Sequence, residues 1–243
     1  TRNQGKAPLG VLVLHGFTSH IHCVDRLVTP LDEAGLPYRF PILRGHGTRY
    51  QDMAGVKACD WYEDGESALF DLLAEVEKVV VVGLSMGGLV ALELAARHRD
   101  RIAGVVTVAA ALKFQDPLAV LTPLMAKVIR FWPSPNAYHD EELRKIEDRN
   151  YPKFATDAFA SLWEYSRHVT RQLSFVKAPI LVLHSHQDQV IAPRAAQSIY
   201  AKGSSLDRTL TWFEKSGHEM LLDLERDAVQ EAIMQFIRHV AGQ

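Results

Sequence analysis

Ser85 stands in Gly83-Leu84-Ser85-Met86-Gly87-Gly88, after the apolar run 79–82 and before the helical pattern 89–96. In a strand, G-x-S-x-G, helix context the middle residue sits on a strained turn with its side chain projecting from the sheet edge. The glycines are needed because Cβ atoms have no room there. A serine hydroxyl is a poor nucleophile at neutral pH, so chemistry at Ser85 requires a histidine to take its proton and a carboxylate to orient that histidine. Of 11 histidines, His218 is the candidate base: Lys215-Ser216-Gly217-His218-Glu219-Met220 follows the strand pattern 209–213 and precedes the last helical pattern. Asp188, in the loop after the strand pattern 180–184, is the candidate acid. Such a set performs acyl transfer through a covalent acyl-serine.

Each residue also has a plainer reading. Ser85 is then an idle serine in a tight turn, Asp188 caps the helical pattern that starts near Pro193, and His218 is a solvated loop histidine. Asp116 competes with Asp188 for the acid role, because it follows the strand pattern 102–109. His184-x-His186-x-Asp188 has the spacing of metal ligands on one side of a strand. Without a second Cys or His cluster it makes a poor metal site, and none is expected.

An acyl-transfer site also needs donors for the oxyanion of the tetrahedral intermediate. The first strand pattern runs into His15-Gly16-Phe17-Thr18-Ser19, where Gly16 permits a sharp turn that aims the Phe17 N–H inward. The Met86 N–H is the expected second donor. His15 reads as structural, as does the glycine turn Arg44-Gly45-His46-Gly47-Thr48. Neither that turn nor residues 83–88 has the spacing of a dinucleotide or phosphate loop, so no nucleotide cofactor is expected.

These residues must be positioned by strands, and strand patterns lie at 9–14, 38–42, 79–83, 102–109, 180–184 and 209–213. They are nearly continuous in apolar residues where a half-exposed antiparallel strand would alternate, which predicts a parallel sheet with helices on both faces. Helical stripes at the 3.6-residue period run through Ala68, Leu69, Leu72, Leu73 and Val76, and through Ala228, Val229, Ala232, Ile233, Phe236, Ile237 and Val240. Gly35 reads as the end of an earlier helix.

The alternation breaks at 112–175, which shows helical patterns, no convincing strand, and prolines at 117, 123, 133, 135 and 152 that divide it into several short helices. The expected organisation is a core of 1–111 and 176–243 with a helical cap, 112–175, inserted before the strand that carries the acid. The cap holds 10 of the 21 aromatic residues, enough both to dock it and to line a pocket. Phe17 and the cap residue Trp163 are the expected substrate contacts.

Composition narrows the partners. With 27 Lys+Arg against 29 Asp+Glu, no polyanion-binding surface and no nucleic-acid partner is expected. Two cysteines give no disulfide framework, and a chain of 243 residues buries roughly three quarters of its unfolded surface without one. The longest weakly polar stretch, 102–112, falls short of the ~20 apolar residues of a membrane span. Thr1-Arg2-Asn3-Gln4-Gly5 lacks the apolar run of a secretory signal, which makes cytoplasmic residence the default expectation. Oligomeric state is not legible.

Together His15-Gly16-Phe17, Gly45-His46-Gly47, Gly83-Leu84-Ser85-Met86-Gly87-Gly88, Asp60-Trp61, Asp188-x-Val190-Ile191-x-Pro193 and Ser216-Gly217-His218 resemble the bacterial carboxylesterase and monoacylglycerol lipase group of the α/β-hydrolase superfamily. The order Ser, Asp, His is also that of this fold and not of other serine hydrolases. Ser185 departs from the pattern, since many α/β-hydrolases have glycine in that turn. The resemblance implies an α/β-hydrolase fold and a cofactor-free esterase: Ser85 is acylated, His218 activates the hydrolytic water and Asp188 orients His218. Small to medium acyl esters or monoacylglycerols are the implied substrates. A thioesterase, acyltransferase or perhydrolase on the same triad, and a non-catalytic receptor on the same scaffold, remain alternatives.

Overall fold

The computed structural model describes residues 5–145 and 150–242. Residues 1–4, which carry most of the amino-end pattern read for a leader, lie outside them. The chain runs β1 (Ala7–Leu14), α1 (Val28–Glu33), β2 (Tyr38–Arg39), α2 (Ala58–Leu73), β3 (Val76–Leu84), α3 (Met86–Arg97) and β4 (Ile102–Val108). It then enters the inserted region with α4 (Thr122–Met125), β5 (Phe131–Pro133), α5 (Glu141–Arg144), β6 (Lys153–Ala155) and α6 (Thr156–Gln172). It closes with β7 (Ile180–Ser185), α7 (Arg194–Lys202), β8 (Arg208–Phe213) and α8 (Arg226–Ala241).

Six strands form one sheet in the order β2-β1-β3-β4-β7-β8, and every pairing is parallel. The apolar runs are buried on both sides, as expected. Leu12, Leu14, Val79 and Val81 face a core shared with α2, α3 and α7, while Val11, Val13, Val80 and Val82 face one shared with α1 and α8. Burying such a side chain contributes about 1.5–3 kcal/mol, so two-sided strands hold the sheet rigid beneath the site. Registers Leu14↔Gly83, Leu84↔Val108 and Val108↔Leu183 bring the strand ends to one edge.

Three local expectations are corrected. The strand expected at 38–42 is only Tyr38–Arg39, because Pro41 has no N–H for the ladder and the chain leaves the sheet there. Val76, assigned to a helical stripe, begins β3 and pairs with Ala7. The inserted region is not wholly helical: β5 and β6 form an antiparallel pair with Trp132 opposite Phe154, strands too short to show an alternating pattern. Its prolines do mark short elements, with Pro117 opening a 3-10 turn and Pro123 in the first turn of α4. By contrast α6 spans 17 residues and packs Ala158, Leu162, Tyr165 and Val169 into the same core as α2 and α3. No helix among the described residues is long and apolar enough to cross a membrane.

Candidate active site

Ser85 occupies the turn between β3 and α3 with φ 53° and ψ −112°, a region disfavoured for residues with a Cβ. Its backbone is fixed on three sides: its N–H donates to Val108 O, and its carbonyl accepts from Gly88 and Ala111 N–H. A Cβ on Gly83 would lie 2.2 Å from Gly87 O, and one on Gly87 would lie 2.3 Å from Leu14 O. The glycines are therefore dictated by backbone packing as well as by the turn.

The sheet edge brings the three expected residues together. His218 Nε2 lies 2.9 Å from Ser85 Oγ, and His218 Nδ1 lies 2.9 Å from Asp188 Oδ2. A neutral imidazole with its proton on Nδ1 donates to Asp188 and presents Nε2 as an acceptor for the Ser85 hydroxyl. Burial opposes protonation of His218, but the charge and hydrogen bond of Asp188 outweigh it and raise the pKa above 6.5. Burial would likewise raise the Asp188 carboxyl, yet His218, His184 and the Ile191 N–H hold it below its usual range. Asp188 does not cap the helix after Pro193, which has no side-chain cap; its Oδ1 instead accepts from Val190 and Ile191 N–H, each at 2.8 Å, and so closes its own loop.

Asp116 does not reach this group; it caps the 3-10 turn by accepting from Leu118 N–H. The spaced His184 and His186 diverge. His184 Nε2 donates to Ile191 O at 3.1 Å, whereas the His186 ring stacks on Trp212 with centroids 4.3 Å apart.

The turn after β1 approaches Ser85 so closely that a Cβ on Gly16 would lie 3.3 Å from Ser85 Cβ. Phe17 lines the pocket with Ser85 and His218. Among the described residues neither the Phe17 nor the Met86 N–H donates a hydrogen bond, as an oxyanion site requires of free donors. Two buried histidines brace this turn. Leu43 N–H donates to His15 Nε2 and Thr18 N–H donates to His46 Nε2, while each Nδ1–H points at a backbone carbonyl. Burial, reinforced for His15 by the neighbouring His46, lowers their pKa values to about 3 and about 4. Both rings therefore remain neutral struts, in line with the structural reading of His15.

Phe17 packs against Trp61, Phe154 and Phe159 with centroids 5.7–5.9 Å apart. Trp163, the other expected substrate contact, is displaced from this group. It lines a separate depression with Arg167 and Arg171 on the opposite side of Phe114, because the α6 face that turns inward is the one carrying Ala158, Leu162 and Tyr165. The Ser85 pocket is about 50 Å³ and shares Phe114, Pro135, Phe154, Phe159 and Val190 with an apolar cavity of about 340 Å³.

Other supports were invisible as motifs. Ser185, the departure from glycine, donates to Ser216 O at 2.5 Å and so ties the acid loop to the histidine loop. Asp223 accepts from Gly217, His139 and Asp140 N–H, and Glu225 accepts from the N–H groups of residues 214–216. Glu219 lines the pocket with its Oε1 accepting from Asn150 Nδ2, and burial raises its pKa. An acidic residue soon after the last strand was the only available signal for Asp223 and Glu225.

Residues 6–225 match the family model described as serine aminopeptidase, S33. The chain is 30% identical to a thermostable monoacylglycerol lipase of Bacillus sp. strain H-257, over 97% of this chain and 92% of that one. It is 25% identical to a carboxylesterase of Bacillus subtilis strain 168, covering 93% and 91%. A solved structure from work on LipS and LipT, two metagenome-derived lipolytic enzymes, superposes with a TM-score of 0.90 at 29% identity, covering 96% and 95%. The resemblance read in the motifs is thus confirmed, and the chain belongs to the serine aminopeptidase S33 family of α/β-hydrolases, an enzyme of the type that includes those lipases and esterases.

Proposed function

We propose that this protein hydrolyses carboxylic esters of small to medium acyl groups, monoacylglycerols among them, through an acyl-enzyme on Ser85. The observation that carries the reading is the continuous hydrogen-bonded chain Ser85 Oγ, His218, Asp188 at 2.9 Å per link, beneath an apolar cavity of about 340 Å³. The names of the relatives point the same way.

In this mechanism His218 Nε2 takes the Ser85 proton as Oγ attacks the ester carbonyl, and the oxyanion is received by the N–H groups of Phe17 and Met86. The imidazolium is stabilised by Asp188 and passes its proton to the departing alcohol oxygen. Water then attacks the acyl-Ser85 ester as His218 accepts its proton, and the intermediate collapses as His218 returns that proton to Ser85 Oγ, which releases the carboxylic acid. The acyl chain occupies the cavity walled by Phe114, Phe154 and Phe159.

Intact-mass analysis after treatment with a fluorophosphonate, followed by peptide mapping, tests the reading. One adduct on Ser85 is expected, together with turnover of a series of p-nitrophenyl esters and of monoacylglycerols. No adduct, or an adduct on another serine, sinks it, and a strong preference for a matched thioester over its oxygen ester replaces the ester assignment.

The pH profile has a determined direction. His218 works as a base only when neutral, and its pKa lies above 6.5, so kcat/KM falls as pH drops through a midpoint above 6.5. A steady-state profile with a soluble ester measures this. A midpoint well below 6.5 would contradict control by the His218 and Asp188 pair.

A further inference from the structure

The residues on either side of His218 are each tied to the inserted region. On one side the Glu219 N–H donates to Ala137 O at 3.1 Å. On the other the Gly217 N–H donates to Asp223 Oδ2 at 2.6 Å, and Asp223 in turn accepts from the N–H groups of His139 and Asp140, both at 2.7 Å. The same short strap, residues 137–140, also reaches the acid loop, because His139 Nε2 donates to Gln187 O at 3.0 Å, one residue before Asp188. Arg144 Nε holds the strap itself by donating to Tyr138 O at 2.8 Å. The strap supplies no atom to the triad, yet it is bonded to both loops that carry the base and the acid.

Asp223 is the centre of this junction. It is fully buried, and its Oδ1 also accepts from Leu224 N–H at 3.0 Å, so four backbone N–H groups converge on its two oxygens. A carboxylate offers acceptors only and suits such a cluster, where a neutral side chain of that size leaves donors unmet. Space is as tight as the bonding. A Cβ on Gly217 would lie 2.8 Å from Ala137 O, 2.9 Å from Gln189 Oε1 and 3.0 Å from Asp223 Oδ2, so the strap, the acid loop and Asp223 close from three sides on the residue before His218. The chain up to Ser216 is held without this junction, by Glu225 on the N–H groups of residues 214–216 and by Ser185 on Ser216 O. What Asp223 adds is therefore confined to residues 217–219.

We infer that Asp223 is a positioning residue for His218, and that through it the triad depends on residues 137–140 of the inserted region being seated. His218 Nε2 and Nδ1 each lie 2.9 Å from their partners. Moving the ring by about 1 Å breaks one link or both, and a misplacement of that size costs roughly 10²-fold in rate. When the strap lifts, both anchors beside His218 leave with it and Gln187 O loses His139. The inserted region thus does more than wall the acyl cavity, since its seating gates proton transfer. The consequence for turnover rests on the ester-hydrolase reading; the placement of His218 does not.

Nuclear magnetic resonance of the full chain carrying isotope-labelled histidine tests the placement without substrate. In the parent the His218 imidazole titrates above 6.5, because Asp188 outweighs burial. Asp223→Ala leaves in place Asp188 and Glu219, the two carboxylates that face His218, but loosens the Nδ1 bond to Asp188. Burial then gains weight, and the midpoint should fall by at least about 0.5 in pH. In ester assays normalised to active sites by fluorophosphonate titration, kcat should fall roughly 30- to 100-fold with KM within about twofold. Asp140→Pro removes a strap N–H at a φ of −63° that proline accepts, and should lower kcat at least about tenfold more than Asp140→Ala, which keeps that N–H. A merely structural role would lower the melting temperature and the number of titratable sites while the His218 midpoint and the kcat per site stayed at parent values. That outcome overturns the inference, as does an Asp140→Pro variant with the kcat of Asp140→Ala. A parent with the expected His218 midpoint but no ester turnover would count against the proposed function alone.

Discussion

Ser85→Ala is expected to lower kcat for a soluble ester by at least about 10⁴-fold, about 5 kcal/mol in the barrier, while the protein remains folded. The expectation follows from the bond sequence. Without Oγ no acyl-enzyme forms, and what remains is the contribution of oxyanion donors and substrate binding, which are backbone and cavity features the substitution leaves in place. Fold retention is expected because the turn is held by Ser85 backbone bonds to Val108, Gly88 and Ala111, not by the side chain. Alanine also tolerates the φ of 53° no worse than serine does. Stopped-flow and steady-state assays on the same ester, with a thermal melt as control, measure both halves. Turnover within tenfold of the parent would remove Ser85 from the mechanism and turn attention to water activated directly by His218.

Gly87→Ala is expected to produce a large loss of stability, about 3 kcal/mol or more. The new Cβ would meet Leu14 O at 2.3 Å and His15 O at 2.7 Å, and both are backbone atoms that no rotamer can move. Relief requires α3 to shift away from the end of β1, which also separates Met86 from Phe17. Gly55→Ala makes a useful contrast: Gly55 has φ 86° but nothing within 4 Å of its would-be Cβ, so only the backbone term of about 1 kcal/mol applies. For a chain of this length the difference corresponds to roughly 4–8 °C in Tm. Urea titration of the two variants checks the ordering; Gly87 has no positive φ, so equal losses would mean that the backbone relaxes around the new Cβ and the close approach does not limit stability.

The parallel sheet and its helices were legible because strands covered on both faces must be apolar throughout, and covering helices must show a 3.6-residue stripe. Ser85, Asp188 and His218 were legible for a related reason: each follows a strand pattern, and parallel strands put their following loops at one edge. Where local signals were weak the reading failed. Proline shortened β2, Val76 sat where a helical stripe and a strand start overlap, and β5 and β6 were too short for alternation to register.

The sequence by itself determined the chemistry on offer, since residue type, strand-following position and the glycine flanks of Ser85 are local properties that survive any packing of the rest. Only the tertiary structure decided which residues surround that chemistry. Trp163 and Phe159 are four residues apart on α6, yet Phe159 walls the Ser85 pocket and Trp163 faces a basic depression beyond Phe114. The bracing of Phe17 by His15 and His46, and of the histidine loop by Ser185, joins segments 28 to 31 residues apart in sequence. Such contacts depend on where elements meet in space, and no periodicity along one segment records the position of another.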